Sequence, residues 1–232
     1  MSTLEMFIKS VSIFYGEIQK DENARFRSWE HCYKSFYDSR KDDNQDYDYL
    51  SLQLAFYLAS WGMYRGSSFL LQKDYKVHIP VVKEIMKSEY DCLLGVACTD
   101  FRKEEVQSKL EKLEGTLSSY YDDVRKSVKD IEIKKGLSST LLTKILLGTL
   151  ACVPAYDRYF IEGIKDQKVT TSIYNKKSLL GLVDFYEENF EQLEQVRKGM
   201  HVYDLEYPQM KLLDMGFWQI GFEKEAGNNQ EA

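Results

Sequence analysis

The residues of this chain best placed to do chemistry lie between Gly136 and Phe160. An apolar stretch from Leu141 to Val153 runs into Pro154, which cannot continue a helix interior and pushes the residue before it towards extended backbone. Three residues later Asp157 stands where its side-chain oxygen accepts from the free N–H groups of a new first turn. A carboxylate at such a break has a sound structural role as the cap of the next helix. A second concentration is Trp61-Gly62-Met63-Tyr64-Arg65-Gly66. An arginine closing an apolar helix must find a carboxylate, a carbonyl or a phosphate. Glu30 and His31 are adjacent, about 100° apart around a helix, and so cannot act as a local pair. His31 therefore reads as a structural residue, and His78 and His201 as loop residues.

Other chemistries lack their residues. No GxGxxG, Gly-rich loop before Lys-Ser/Thr, HExxH or GxSxG occurs. Cys32, Cys92, Cys98 and Cys152 have no metal-ligand spacing, and three of them lie in apolar surroundings, where reduced cysteine acts as a small core residue. Neither a metal site nor a cofactor is expected.

The elements that must position Asp157 and Arg65 read as helices. Leu4, Phe7, Ile8, Val11, Phe14, Tyr15 and Ile18 form one helical stripe, and a second helix from near Ala24 carries Phe26, Trp29, Tyr33, Phe36 and Tyr37. The stretch from Tyr49 to Tyr64 is apolar nearly all round, the mark of a central helix packed on several sides. Pro80 opens a helix expected to run to about Cys98. Residues 102–131 repeat Val106, Leu110, Leu113, Leu117, Tyr120, Val124 and Ile131, a narrow seam of coiled-coil type expected to be mostly solvated or to meet a partner. Helices follow at about Ser138–Ala151, Asp157–Lys165, Lys177–Lys198 and Tyr207–Phe222, with a polar, disordered tail over 223–232. Val169 to Tyr174 is the one β-flavoured stretch. The expected fold is a single all-α domain over 1–222, with an N-terminal helical pair (1–40) and a core (47–222).

The 232 residues carry a net charge of −6, unevenly spread: 134–177 hold eight Lys/Arg against three Asp/Glu, and 178–232 hold four against eleven. A basic island in an acidic chain reads as a phosphate-binding face or as solvated loops. No stretch approaches the roughly 20 apolar residues of a membrane span, and the N-terminus lacks a signal-peptide pattern, so a cytoplasmic location is expected.

The segment Lys134-Lys135-Gly136-Leu-Ser-Ser, followed some 20 residues on by Val153-Pro-Ala-Tyr156-Asp157, resembles the core of the helix-hairpin-helix DNA glycosylase superfamily, in a divergent, bacterial-type form. Leu212 to Gly221 resembles that superfamily's last core helix. The resemblance implies that Lys134, Lys135 and Gly136 grip DNA phosphates, with Lys144 and Arg65 in support. It also implies that Asp157 is the catalytic aspartate and that Tyr64, Tyr156 and Arg158 lie about the pocket. One glycine stands where the family has two, and Thr140-Leu141-Leu142 stands where its bifunctional members carry a nucleophilic lysine. The implied chemistry is therefore monofunctional base release through the aspartate. The competing reading is a non-catalytic helical protein, a defence or mobile-element accessory that binds a protein partner or a second copy through residues 102–131.

Overall fold

The computed structural model describes residues 1–66, 68–128 and 136–228. Its helices are α1 (Thr3–Lys20), α2 (Arg27–Ser39), α3 (Tyr47–Ser60), α4 (Ile79–Ile85), α5 (Cys98–Phe101), α6 (Glu104–Lys126), α7 (Ser139–Thr149), α8 (Arg158–Asp166), α9 (Lys176–Glu188), α10 (Phe190–Lys198) and α11 (Gln209–Asn228). Short 3-10 turns at Phe69–Gln72, Tyr75–His78 and Ser88–Leu93 join the middle helices. A hairpin of β1 (His201–Val202) and β2 (Leu205–Glu206) precedes α11. The described residues are all-α apart from that hairpin, and no described helix is long and apolar enough to cross a membrane.

Two helices organise the core. Every residue of α7 from Leu141 to Thr149 is buried, because this helix is enclosed by α2, α3 and α6. Helix α11 lies against α1 and α8. At the α8–α11 crossing the backbones touch: a Cβ on Gly163 would fall 1.9 Å from the Phe217 carbonyl oxygen, and one on Gly221 would fall 2.0 Å from that of Tyr159. Only glycine permits that approach. Phe7, Phe185 and Phe217 interlock beside it, with ring centroids 4.9–5.3 Å apart.

Several sequence expectations are corrected. The seam on α6 does not stand off the core: Val106, Leu110, Leu113, Leu117 and Tyr121 are buried against the 88–93 turn, α4, α5 and α7. A narrow stripe suffices because ion pairs from Lys109 and Lys112 to Glu89 dress its margin. The helix opening at Pro80 ends at Ile85 rather than near Cys98, since a 3-10 turn is needed to bring Tyr90 and Leu93 inside. The helix expected over 177–198 is split at Asn189, whose Nδ2 donates to the Phe185 carbonyl and closes α9. Residues 223–228 are not a loose tail but the end of α11, tied down by Lys224 to Glu162 and Asp166 and by Glu225 to Arg158. Residues 229–232 and 129–131 of the expected segments lie outside the described residues. Val169 to Tyr174 forms no strand. Helix α3 is buried on one side only, leaving Tyr49, Leu52 and Phe56 exposed.

His78 is not a loop residue in solvent but fully buried, its ring nitrogens 2.7 Å from the Tyr64 hydroxyl and 2.6 Å from the Tyr121 hydroxyl. Burial lowers its pKa to about 3. The unfolded chain takes up this proton near the ordinary value of 6.5, so the stabilisation is complete above pH 6.5 and is lost as pH falls towards 3. The slope this adds is at most about 1.4 kcal/mol per pH unit. Urea titrations at several pH values should show a shallower acid loss for His78→Gln than for wild type. Identical slopes would remove His78 from the acid response.

Candidate functional site

The Asp157 loop is built from within. The segment Ala151–Tyr156 is buried, so its backbone polar groups need internal partners. Thr143 Oγ accepts from Tyr156 N at 2.9 Å, and Thr140 Oγ donates to Tyr156 O at 2.9 Å. Asp214, on α11, accepts from Ala155 N at 3.0 Å. These bonds clamp the loop between α7 and α11 and set the start of α8.

Asp157 is the cap of α8: its Oδ1 accepts from Tyr159 N and Phe160 N, each at 3.1 Å. The other oxygen accepts from Lys144 Nζ at 2.8 Å. The Asp157 side chain retains 14% exposure against 3% for Lys144. Lys144 is thus placed differently from the phosphate-contacting role implied for it. It projects from the buried body of α7 and neutralises the aspartate from beneath.

A second buried pair lies alongside. Lys211 Nζ donates to Asp214 Oδ2 at 2.8 Å, and both residues are almost wholly enclosed. The Lys211 ammonium lies 4.9 Å from the Trp29 ring centroid, 5.2 Å from Phe14 and 5.8 Å from Trp61. Lys144 Nζ lies 5.1 Å from the same Trp61 ring. Two desolvated cations are tolerated here because each has a carboxylate and faces the negative side of aromatic rings. Trp61 meets Trp218 edge-on at 5.6 Å and Phe26 at 5.7 Å, and the Arg25 guanidinium covers its outer side at 5.7 Å. The indole N–H groups of Trp61 and Trp218 are buried with no partner among the described residues. An acceptor reaching either would remove a desolvation cost.

Arg65 occupies a neighbouring cleft. Helix α3 stops at Ser60 and Gly62 turns the chain with φ +75°, a left-handed value that suits glycine. Arg65 then folds back over Gly62 and remains exposed. It shares a cleft of about 500 Å³ with Ser68, Arg125, Gly136 and Ser138, the cap of α7. Arg65 and Gly136 are therefore brought together, while Lys134 and Lys135 lie outside the described residues.

The remaining expected pocket residues are dispersed. Tyr64 turns to His78, and neither it nor Asp157 lines the Arg65 cleft. Tyr156 is fully buried with its hydroxyl 2.7 Å from Ser178 Oγ, and burial pushes its phenol above the ordinary range. Arg158 is exposed and donates to Glu225 at 2.9 Å and to the Tyr159 hydroxyl at 2.8 Å. Cys32, Cys98 and Cys152 are buried free thiols raised by desolvation, as core cysteines should be. Among the described residues no group of three or more His, Cys, Asp or Glu side chains is placed to hold a metal ion.

Lys211 and Asp214 are site residues that the sequence reading does not pick out. The available signal was a Lys and an Asp three apart inside the apolar run Met210 to Met215, a spacing that pairs them on one helix face. Comparison with protein-family models, curated proteins and solved structures returns no match for this chain.

Proposed function

We propose that this chain is a DNA-associated helical domain in which the Arg65 cleft holds backbone phosphate and Asp157 faces the nucleotide beside it. The observation that carries the reading is the juxtaposition of Arg65 with Gly136 and the capped start of α7, the latter two belonging to the basic stretch 134–177 of an acidic chain. Backbone N–H groups and a guanidinium are the donors that phosphate oxygens match. Base release is the chemistry such an aspartate would carry. The bond from C1′ to the base nitrogen breaks, its electrons leave with the base, and the carboxylate stabilises the sugar cation. Water then adds to C1′, and its proton goes to the departing base. Lys144 and two backbone N–H groups already engage Asp157, so phosphate association is the primary activity proposed and base release the secondary one.

Binding of a labelled oligonucleotide should weaken steeply with salt and fall in Arg65→Glu and in the double Lys134→Glu/Lys135→Glu variant. Asp157→Asn should leave binding intact while removing any base release. It should also cost about 2 kcal/mol of stability in urea, because Lys144 loses its counter-charge, whereas a plain cap would tolerate Asn almost without loss. Absence of DNA binding at low salt would rule the reading out.

A further inference from the structure

A run of aromatic rings leads away from the Arg65 cleft. Phe26 meets Trp61 edge-on at 5.7 Å, and Trp61 meets Trp218 edge-on at 5.6 Å. Trp218 in turn stacks on Phe222 at 5.1 Å, the planes 9° apart, and Tyr159 packs against both at 5.2 and 5.4 Å. The run is open to solvent in places: Phe222 is 39% exposed, and Phe26, Trp61 and Tyr159 are only partly buried. The exposed Arg25 guanidinium lies over Phe26 at 5.2 Å and over Trp61 at 5.7 Å. Two chain connections join these rings to the cleft. Trp61 is followed directly by Gly62, which lines the cleft with Arg65. On α7, Leu141 lines the cleft, and Lys144, one turn on, lies 5.1 Å from the Trp61 ring and 2.8 Å from Asp157 Oδ2.

We propose, resting on the DNA association inferred above, that this aromatic run stacks unpaired nucleobases and that the DNA partner is a single strand. A phosphate contact with aromatic rings alongside suits single strands, because every unpaired base can turn a π face to the protein. In a duplex those faces are stacked on one another, and exposing one costs unpairing. The net charge of −6 points the same way. Counterion release from a few phosphate contacts gives an acidic chain little affinity, so stacking must supply the rest. Arg25 adds a planar cation that stacks on rings and attracts the backbone at once. The indole N–H groups of Trp61 and Trp218, buried without a partner among the described residues, sit within the run. They lack acceptors, which every nucleobase edge carries.

Fluorescence anisotropy of the full chain with three labelled probes of equal length tests this: a single strand, the same strand in a duplex, and a sugar–phosphate strand without bases. The single strand should bind about tenfold more tightly than the other two, and it alone should quench tryptophan emission. Phe222→Ala, and Arg25→Lys, which keeps the charge but loses the plane, should each weaken the single strand about tenfold. Both residues are exposed, so circular dichroism should be unchanged, and binding of the other two probes should be unaffected. Arg65→Glu should weaken all three. Equal binding of the three probes by a protein sensitive to Arg65→Glu would overturn the single-strand assignment and leave the DNA reading standing. A single-strand preference indifferent to both Phe222→Ala and Arg25→Lys would overturn it too. Binding of no probe at low salt would overturn both.

Discussion

Replacing Leu110, Leu113 and Leu117 together by alanine is expected to unfold the protein. All three are 4% exposed or less and face the 88–93 turn, α4, α5 and α7. A buried Leu→Ala change costs about 2–5 kcal/mol through lost transfer energy and the cavity left behind. Three such changes reach the whole stability of an ordinary domain, about 5–15 kcal/mol. Leu113→Ala alone should lower stability in urea by about 3 kcal/mol at any protein concentration. A triple variant that keeps its midpoint would return α6 to the solvated seam its heptad pattern suggests.

The second large effect is expected at Asp214. Its carboxylate holds Lys211 on one oxygen and the Ala155 N–H on the other, all inside the protein. Asp214→Ala therefore strands a buried cation and a buried amide at once, a loss of about 3–5 kcal/mol. The paired change Lys211→Met with Asp214→Asn removes the charge and keeps an acceptor for Ala155, so most of that loss should be recovered. Chemical denaturation of the three proteins decides it. An Asp214→Ala variant as stable as wild type would show that the pair contributes nothing.

The difference between what was legible in the chain and what was not follows from how far each cause reaches. Asp157 as a helix cap was legible because Pro154 and the capping rule act over three residues. The all-round burial of α7 was legible because Leu141 to Leu150 leaves hardly a polar face. The Lys144–Asp157 pair was not, because it spans the buried loop and depends on Asp214 clamping Ala155 from another helix. Helix α6 misled because its two apolar residues per heptad describe equally a free seam and a helix whose margins are closed by ion pairs to Glu89. The exposed face of α3 misled in the opposite sense: Tyr49, Leu52 and Phe56 read as core, and no local rule distinguishes an apolar residue facing its own fold from one facing solvent. Of the candidate site, Arg65 shares its cleft with Gly136 rather than with Tyr64 and Asp157, because the tertiary path of the chain turns Tyr64 to His78 and Tyr156 to Ser178.

The chain has three tryptophans, and all three belong to the aromatic setting of the two buried lysines: Trp29 and Trp61 face Lys211, and Trp218 abuts Trp61. Intrinsic tryptophan emission is therefore a local signal here, reporting on the surroundings of Lys144 and Lys211. Far-ultraviolet circular dichroism, by contrast, sums over every helix. If the fluorescence and dichroism transitions coincide in denaturant, the ground around Asp157 melts with the rest as one cooperative unit. If fluorescence moves first, the loop opens ahead of global unfolding, and the most charged part of the interior is also the part that yields soonest.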